Sequence, residues 1–317
     1  MCTAVAYRDE GLYFGRTLDW DFPYDSRVVI TPRHFVSGRG RAFEDAHRAV
    51  IGMAYVVQGY PLYFDGANEC GLCMAGLNFT GNGKYEKSQG KDGEVPQFDL
   101  IAFVLSRCGS AFCAKELLKT VVVTDEPFNS ELKAAALHWL VADAKESFVL
   151  EITKDGTRFF DNPYGILTNN PPFEKQVRSL EKYSCLFADE EESSKPDEHF
   201  TRGSGAKGLP GDWTSSSRFV RGNFVLSNSK GCKTVAPVAQ CFHIMDSVSV
   251  PVGSMRINGS CEYTQYTCCI DAARGVYYYT TYENHRICAV DIKAFDLEGT
   301  ELLPCELVKE QDVYFHK

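Results

Sequence analysis

The cysteine at position 2 is the first residue whose type and place suggest chemistry. Removal of Met1, which is favoured when a small residue follows it, would leave Cys2 with both a thiol and a free α-amine. An α-amine has a pKa of ~7.7–8.0 and a thiol one of ~8.5, so near neutral pH the amine can take the thiol proton without a histidine. We therefore predict that Cys2 is the nucleophile of an amide hydrolase, provided that Met1 leaves. The alternative is an inert cysteine.

Arg16 and Asp19 are the charged residues that local structure brings nearest to Cys2. Two β-rich segments flank a turn at 9–11, which predicts a hairpin that places Cys2 opposite Leu18 or Asp19. The charge of Arg16 would favour the thiolate, and the carboxylate of Asp19 could orient the amine. Because strand side chains alternate, both can point at Cys2 only if the chain bulges or turns near Leu18. The alternative is a surface ion pair, worth less than ~1 kcal/mol.

Three more residues could serve the same reaction from distant parts of the chain. Asn78 and Asn169 each end an apolar run, and Arg218 opens a predicted helix. Amide hydrolysis needs donors aimed at the developing oxyanion, and asparagine side chains at strand ends can supply them. Taken singly, each asparagine is also explained as a turn residue, and Arg218 as an exposed or packing residue.

The thirteen cysteines raise an alternative of another class, a metal-binding or thiol-sensing protein. Cys70 and Cys73 have zinc-ligand spacing, but no second CxxC and no HxxxH follows. His138 lies between apolar neighbours and is interpreted as a core residue. Phosphate-binding and dinucleotide motifs are absent. We predict no metal and no organic cofactor.

Charge and composition exclude other partners. The net charge of -9 leaves no basic stripe for a phosphate backbone, so we expect no nucleic acid. The N-terminus lacks the pattern of a signal peptide, and no apolar run reaches the ~18 residues of a membrane span. We expect a cytoplasmic protein that does not bind membranes.

The elements that must position these residues form alternating groups of strands and helices. Predicted strands are 27–31, 49–57, 62–65, 72–79, 135–142, 147–153, 157–160, 166–168, 263–270, 276–282 and 286–292; predicted helices are 98–106, 111–118, 216–226 and 235–245. This order lacks the βαβα alternation of a parallel fold and predicts antiparallel sheets covered by helices. We expect one domain, 1–317, with a projecting polar arm around 188–211.

Taken together, these signals give a resemblance to the choloylglycine hydrolase family of bile salt hydrolases and penicillin V acylases. The resemblance spans nearly the whole chain. It is carried by MCTA at 1–4, FGRTLD at 14–19, VITPR at 29–33, YPLY at 60–63, DGANE at 65–69, MAGLNF at 74–79, LHW at 137–139, GILTN at 165–169, GLPGDWT at 208–214, SRF at 217–219 and YYY at 277–279.

The resemblance implies an α+β N-terminal nucleophile hydrolase, built as a four-layer αββα sandwich and commonly assembled as a homotetramer through an arm. The acyl group would pass through a thioester on the nucleophile to water, and acyl transfer to an amino acid is also compatible. The roles that the resemblance implies are nucleophile for Cys2, flanking groups for Arg16 and Asp19, oxyanion hole for Asn78 and Asn169, and support for Arg218.

The resemblance also indicates the substrate. Asn78 favours conjugated bile acids, since penicillin V acylases tend to carry an aromatic residue there; penicillin V acylase is the alternative. A steroid needs a broad apolar pocket. Candidate lining residues, which could equally be ordinary core, are Leu18, Trp20, Phe22, Tyr24 and Val57.

Overall fold

The computed structural model describes residues 1–188, 203–229 and 235–316. The strands are β1 (Cys2–Arg8), β2 (Leu12–Trp20), β3 (Ser26–Thr31), β4 (Val50–Val57), β5 (Tyr60–Asn68), β6 (Cys73–Asn78), β7 (Glu94–Pro96), β8 (Val122–Thr124), β9 (Leu137–Ala142), β10 (Ser147–Thr153), β11 (Gly156–Asp161), β12 (Ile166–Leu167), β13 (Arg256–Ile257), β14 (Ser260–Cys261), β15 (Tyr263–Asp271), β16 (Val276–Thr281), β17 (Cys288–Asp291) and β18 (Leu303–Cys305). The α-helices are α1 (Leu100–Arg107), α2 (Ala111–Leu118), α3 (Phe173–Ser179), α4 (Ser215–Asn228) and α5 (Pro237–Asp246).

Two large sheets contain most of these strands. One has six strands in the order β12-β1-β2-β15-β16-β17, and the other has eight in the order β11-β10-β9-β6-β5-β4-β3-β18. Every neighbouring pair in both sheets is antiparallel. The antiparallel arrangement predicted from the sequence is confirmed.

The sheets stack face to face, and helices cover their outer faces. In β3, Val28 and Ile30 belong to the core between the sheets, whereas Val29 belongs to the core under α1 and α2. This alternation buries both faces of a strand and explains its unbroken apolar run. On the other side α4 and α5 pack on the six-stranded sheet. The result is the α+β, four-layer αββα sandwich that the resemblance implied.

The N-terminal hairpin has the predicted register, with Cys2 opposite Leu18. The bulge or turn that the sequence predicted near Leu18 is not found in the pairing of β1 with β2, which has no register shift. The shift lies instead in β15, between Thr264 and Tyr266, where that strand pairs with β2. Side chains of β2 therefore keep their strict alternation, so those of Arg16 and Asp19 lie on opposite faces of the sheet.

Helix prediction succeeded where caps are local. Ser110 accepts a hydrogen bond from the Cys113 N–H and begins α2 at the expected residue. The short helix α3 was not predicted. None of the helices in the described ranges is long and apolar enough to cross a membrane. Most of the predicted arm around 188–211, from 189 to 202, lies outside the described residues.

Candidate active site

Cys2 begins β1 with its side chain 4% exposed. Arg16 Nη2 lies 3.3 Å from Cys2 Sγ, which places a guanidinium where it would stabilise negative charge on sulfur. The main chain is fixed as well: Cys2 N donates to Asn169 Oδ1 at 2.9 Å, and Arg218 Nη1 donates to Cys2 O at 2.7 Å. Three of the five other predicted catalytic residues thus contact Cys2 directly.

Arg16 is buried between the two sheets and reaches several acceptors. Nη1 donates to Asp65 Oδ2 at 3.0 Å and to Tyr266 Oη at 2.7 Å, while Nη2 also donates to Gly76 O at 3.1 Å. Burial opposes the charge of Arg16, but the ionisable groups of Tyr266, Cys2 and Asp65 raise its pKa well above its usual value. Arg16 therefore stays a cation beside the thiol.

Asp65 is a buried partner that the site prediction missed. It is 0% exposed and accepts hydrogen bonds from Arg16, Tyr266 and Tyr277, the last at 2.7 Å. Burial, assisted by the charge of Asp65, raises the pKa of both tyrosines well above the usual value, so their hydroxyls remain donors. An acidic residue inside the apolar strand β5 is the signal that could have identified it, since a buried carboxylate needs a partner.

Arg218 lies in the first turn of α4 and is fully buried. Besides Cys2 O, it donates to Thr3 Oγ1 at 2.6 Å and to Asn169 Oδ1 at 2.8 Å. Burial lowers the pKa of Arg218 below its usual value, and the charge of Asp19 opposes that shift. Arg218 thus ties α4 to the start of β1 and to the Asn169 side chain.

Asp19 points to the helix side of the sheet, opposite to Arg16. Thr264 Oγ1 donates to Asp19 Oδ1 at 2.6 Å, and Arg218 Nη1 lies 3.9 Å from Asp19 Oδ2. Among the described residues, this buried Oδ2 has no hydrogen-bond partner. Met1 lies beside it: its ammonium contacts Asp19 O and the carboxylate of Glu262. The sequence prediction did not include Thr264 or Glu262.

The two asparagines meet although they are distant in sequence. Asn169 Nδ2 donates to Asn78 O at 2.8 Å. Asn78 Oδ1 accepts from Thr80 N at 3.0 Å and from Thr80 Oγ1, which turns the other end of this amide, Nδ2, away from Thr80. The ends of β6 and β12 thereby present both asparagines next to Cys2.

An apolar cavity of about 410 Å³ includes Cys2, Arg16 and Asn78 in its wall. Three of the five predicted pocket residues, Leu18, Trp20 and Tyr24, also line it. Phe22 does not and is 50% exposed, and Val57 instead packs against the core under α1. Further apolar lining that the sequence did not indicate comes from Tyr55, Leu62, Phe64, Phe98, Phe128, Leu132 and Leu137.

The zinc-like spacing of Cys70 and Cys73 does not produce a ligand cluster. Cys70 is exposed, while Cys73 is buried, and burial raises the pKa of its thiol. Across residues 1–188, 203–229 and 235–316, no three His, Cys, Asp or Glu side chains are arranged to hold a metal ion.

Known proteins share this fold and sequence. The family model for linear amide C–N hydrolases, choloylglycine hydrolase family, matches residues 2–304. A bile salt hydrolase/transferase of Lactiplantibacillus plantarum is 40% identical over 321 residues, which cover 99% of each chain. The solved mutant C2A conjugated bile acid hydrolase of Clostridium perfringens is 32% identical, with a TM-score of 0.91 over 100% of each chain. Penicillin V acylase of Agrobacterium tumefaciens, 21% identical, shares the fold with a TM-score of 0.78 over 97% of this chain and 92% of its own.

The four-layer fold and these matches define an enzyme that hydrolyses linear amide C–N bonds. Within that class, the chain belongs to the choloylglycine hydrolase family. The family resemblance, the fold class and the enzyme class predicted from the sequence are confirmed.

Proposed function

We propose that this chain hydrolyses the amide bond of glycine- and taurine-conjugated bile acids, with Cys2 as nucleophile once Met1 has been removed. The observation that carries the proposal is the Cys2 thiol, held 3.3 Å from Arg16 in the wall of an apolar cavity of about 410 Å³. The relatives named bile salt hydrolase or conjugated bile acid hydrolase, 31–40% identical, support the substrate class.

The first step forms a thioester. The Cys2 α-amine takes the thiol proton as Sγ bonds to the amide carbonyl carbon and the C=O π electrons move to oxygen. The C=O bond then re-forms, and the C–N bond breaks as the departing nitrogen takes that proton from the Cys2 α-ammonium. Loss of Met1 frees that amine, and the unpartnered Asp19 Oδ2 is an acceptor for one of its protons. Water then adds to the thioester, and the C–S bond breaks to restore the thiol. Cys2 itself thus provides the nucleophile and, through its freed α-amine, the group that takes and returns the proton.

Asn78 and Asn169 supply the oxyanion hole in this proposal. Asn78 Oδ1 is engaged by Thr80, which leaves its Nδ2 protons for the developing oxyanion. One Asn169 Nδ2 proton goes to Asn78 O, and the second is the donor that we assign to the oxyanion. Such a donor is worth about 10²–10³ in kcat in other hydrolases.

The cavity supports a steroid acyl group because its wall is mainly aromatic and aliphatic. We predict that Tyr24→Ala raises KM for glycocholate about 10-fold or more at nearly constant kcat, since an aromatic contact buried by the substrate contributes about 1.5–3 kcal/mol. Val57→Ala is the matched control, because Val57 lies outside the cavity wall. Steady-state kinetics measure both, and equal effects of the two substitutions would contradict this assignment of the pocket.

Substrate choice is tested by comparing amino-acid release from glycocholate and taurocholate with phenoxyacetate release from penicillin V. We expect bile salt turnover to exceed penicillin V turnover by at least about 10-fold, because a hydrophobic pocket shaped for one acyl group discriminates by about 1–3 kcal/mol. Equal or greater penicillin V turnover would favour the penicillin V acylase alternative. Stoichiometric zinc in elemental analysis would favour the metal-binding alternative.

Further properties belong to the same proposal. Transfer of the acyl group to an amino acid is supported by the name of the relative described as a bile salt hydrolase/transferase. The family resemblance supports one domain over 1–317, a homotetramer and an arm around 188–211. Free cysteines throughout the described residues support a reducing, cytoplasmic location.

A further inference from the structure

His138 lies between the two segments that carry Asn78 and Asn169. It is fully buried on β9, and its ring stacks on Phe79, the residue after Asn78, with centroids 4.2 Å apart and planes 6° from parallel. On its other side, Nε2 is 2.7 Å from the carbonyl oxygen of Thr168, the residue before Asn169. One side chain thus touches the immediate neighbours of both asparagines.

The hydrogen bonds of His138 fix its protonation at Nε2. A carbonyl oxygen only accepts, so Nε2 must carry the proton that it donates to Thr168 O. Nδ1 lies 3.2 Å from Glu151 Oε1, which also accepts from Phe173 N at 2.8 Å. Nδ1 and Oε1 would repel each other as two bare acceptors, so one proton is held between them. Glu151 therefore fixes the ring from the side opposite to Thr168.

The Asn169 segment is held independently by its main chain. Gln176 Nε2 donates to Asn169 O and to Pro171 O, and Ser215 Oγ accepts from Asn169 N at 2.8 Å. These contacts determine where the Asn169 main chain lies, and the hydrogen bond from Asn169 Nδ2 to Asn78 O joins the two segments directly. His138 adds a second connection, through its stacking on Phe79 and its hydrogen bond to Thr168 O.

We propose that His138, held by Glu151, is a positioning residue that sets the spacing between the Asn78 and Asn169 side chains for the chemical step. The inference rests on the proposed function, in which these two asparagines stabilise the oxyanion. His138 lies outside the cavity wall and does not reach the substrate. A displaced donor loses much of its effect, because the oxyanion requires donors within about 3 Å.

The test compares His138→Gln with Glu151→Gln and with the neutral double variant His138→Phe/Glu151→Gln. Each enzyme is titrated for active sites and assayed with glycocholate. We expect kcat to fall about 10²-fold in His138→Gln and in the double variant, with KM changed less than about 3-fold. In Glu151→Gln, which keeps a polar partner for the ring, we expect a loss of about 10-fold or less. The double variant removes the Glu151 charge together with the imidazole. It therefore tests the inference even if His138→Gln fails to fold because Glu151 is left as an unpaired buried charge.

The rate of Cys2 alkylation by iodoacetamide separates positioning of the oxyanion donors from damage to the nucleophile. We expect this rate to stay within about 2-fold of the parent enzyme while kcat falls. His47→Gln is the matched control, because His47, like His138, has an oxygen atom at each ring nitrogen, here the main-chain oxygens of Arg48 and Phe35, and it lies outside the cavity wall. It should leave kcat unchanged.

Unchanged kcat per titrated site in the His138 variants would overturn the inference, as would a parallel loss of Cys2 alkylation. A further experiment adds His138→Gln to the Asn169→Ala variant. We expect kcat to fall by less than about a further 3-fold, because the donor that His138 positions is already gone. If the loss of kcat in this double variant equals the product of the fold-losses in the two single variants, the inference is overturned. If Asn169→Ala itself keeps full activity, the oxyanion role in the proposed function fails, which is a distinguishable result.

Discussion

Replacing Cys2 by alanine is expected to lower kcat/KM for glycocholate by at least about 10³-fold, because loss of a nucleophile removes the covalent route and leaves only binding and oxyanion stabilisation. The fold should survive, since the Cys2 main-chain bonds to Asn169 and Arg218 do not use the thiol. Steady-state kinetics and thermal unfolding measure the two effects. Cys70→Ala is the matched control, because Cys70 is exposed and lies outside the cavity wall. This substitution should leave both kcat/KM and the unfolding temperature unchanged.

The same prediction has a second readout in the N-terminus. Molecules that retain Met1 have the Cys2 nitrogen locked in a peptide bond and the Met1 ammonium beside Glu262. We expect specific activity across enzyme preparations to be proportional to the fraction of chains without Met1, measured by intact-mass spectrometry. Full activity in Cys2→Ala, or in a preparation that retains Met1 throughout, would rule out the proposed mechanism.

Replacing Arg16 by methionine is expected to damage both stability and activity. The substitution leaves Asp65 as a buried carboxylate without its cation, and breaking such a pair costs about 3–5 kcal/mol of unfolding free energy. It also removes the positive charge beside Cys2 Sγ, so kcat/KM should fall by at least about 10²-fold. Urea unfolding and glycocholate hydrolysis measure the two losses.

A second substitution separates the two roles of Arg16. Arg16→Met/Asp65→Asn removes the unpaired charge and should recover most of the lost stability, whereas activity should stay low because the thiol still lacks a cation. Arg27→Met is the control on a partly exposed arginine, which pairs with the exposed carboxylates of Asp25 and Glu306, and it should lower the unfolding free energy by less than about 1 kcal/mol. Recovery of activity in the double variant would show that Arg16 serves only to neutralise Asp65.

The groups that contact Cys2 are themselves held in place by further hydrogen bonds. Arg16 can present Nη2 to sulfur only because Asp65, Tyr266 and Gly76 O hold the rest of its guanidinium. Asn169 can receive the Cys2 N–H only because Arg218 shares the same Oδ1. The thiol of Cys2 is therefore oriented by Arg16, and its nitrogen by Asn169 and Arg218.

The part of the site that the sequence determines is local. The turn at 9–11 and the period of two residues put Cys2 opposite Leu18, and α2 begins after Ser110 because its cap is three residues from its donor. The proximity of Arg16 and Asp19 to Cys2, the proposed nucleophile, follows from the same short-range geometry. The αββα fold and the distant residues Asn78, Asn169 and Arg218 came from the family resemblance rather than from periodicity.

Only the tertiary structure decided the rest, because pairing between sheets leaves no periodic trace in the sequence. Asp65 meets Arg16 across 49 residues and Thr264 meets Asp19 across 245. From the sequence, Phe22 and Val57 were as plausible as Tyr24 for the cavity wall, since all three are large and apolar or aromatic. Phe22 is excluded by the path of the chain after β2, and Val57 because its face of β4 packs against the core under α1. The sequence identifies the groups that can react, and the stacking of two sheets determines which of them share a cavity.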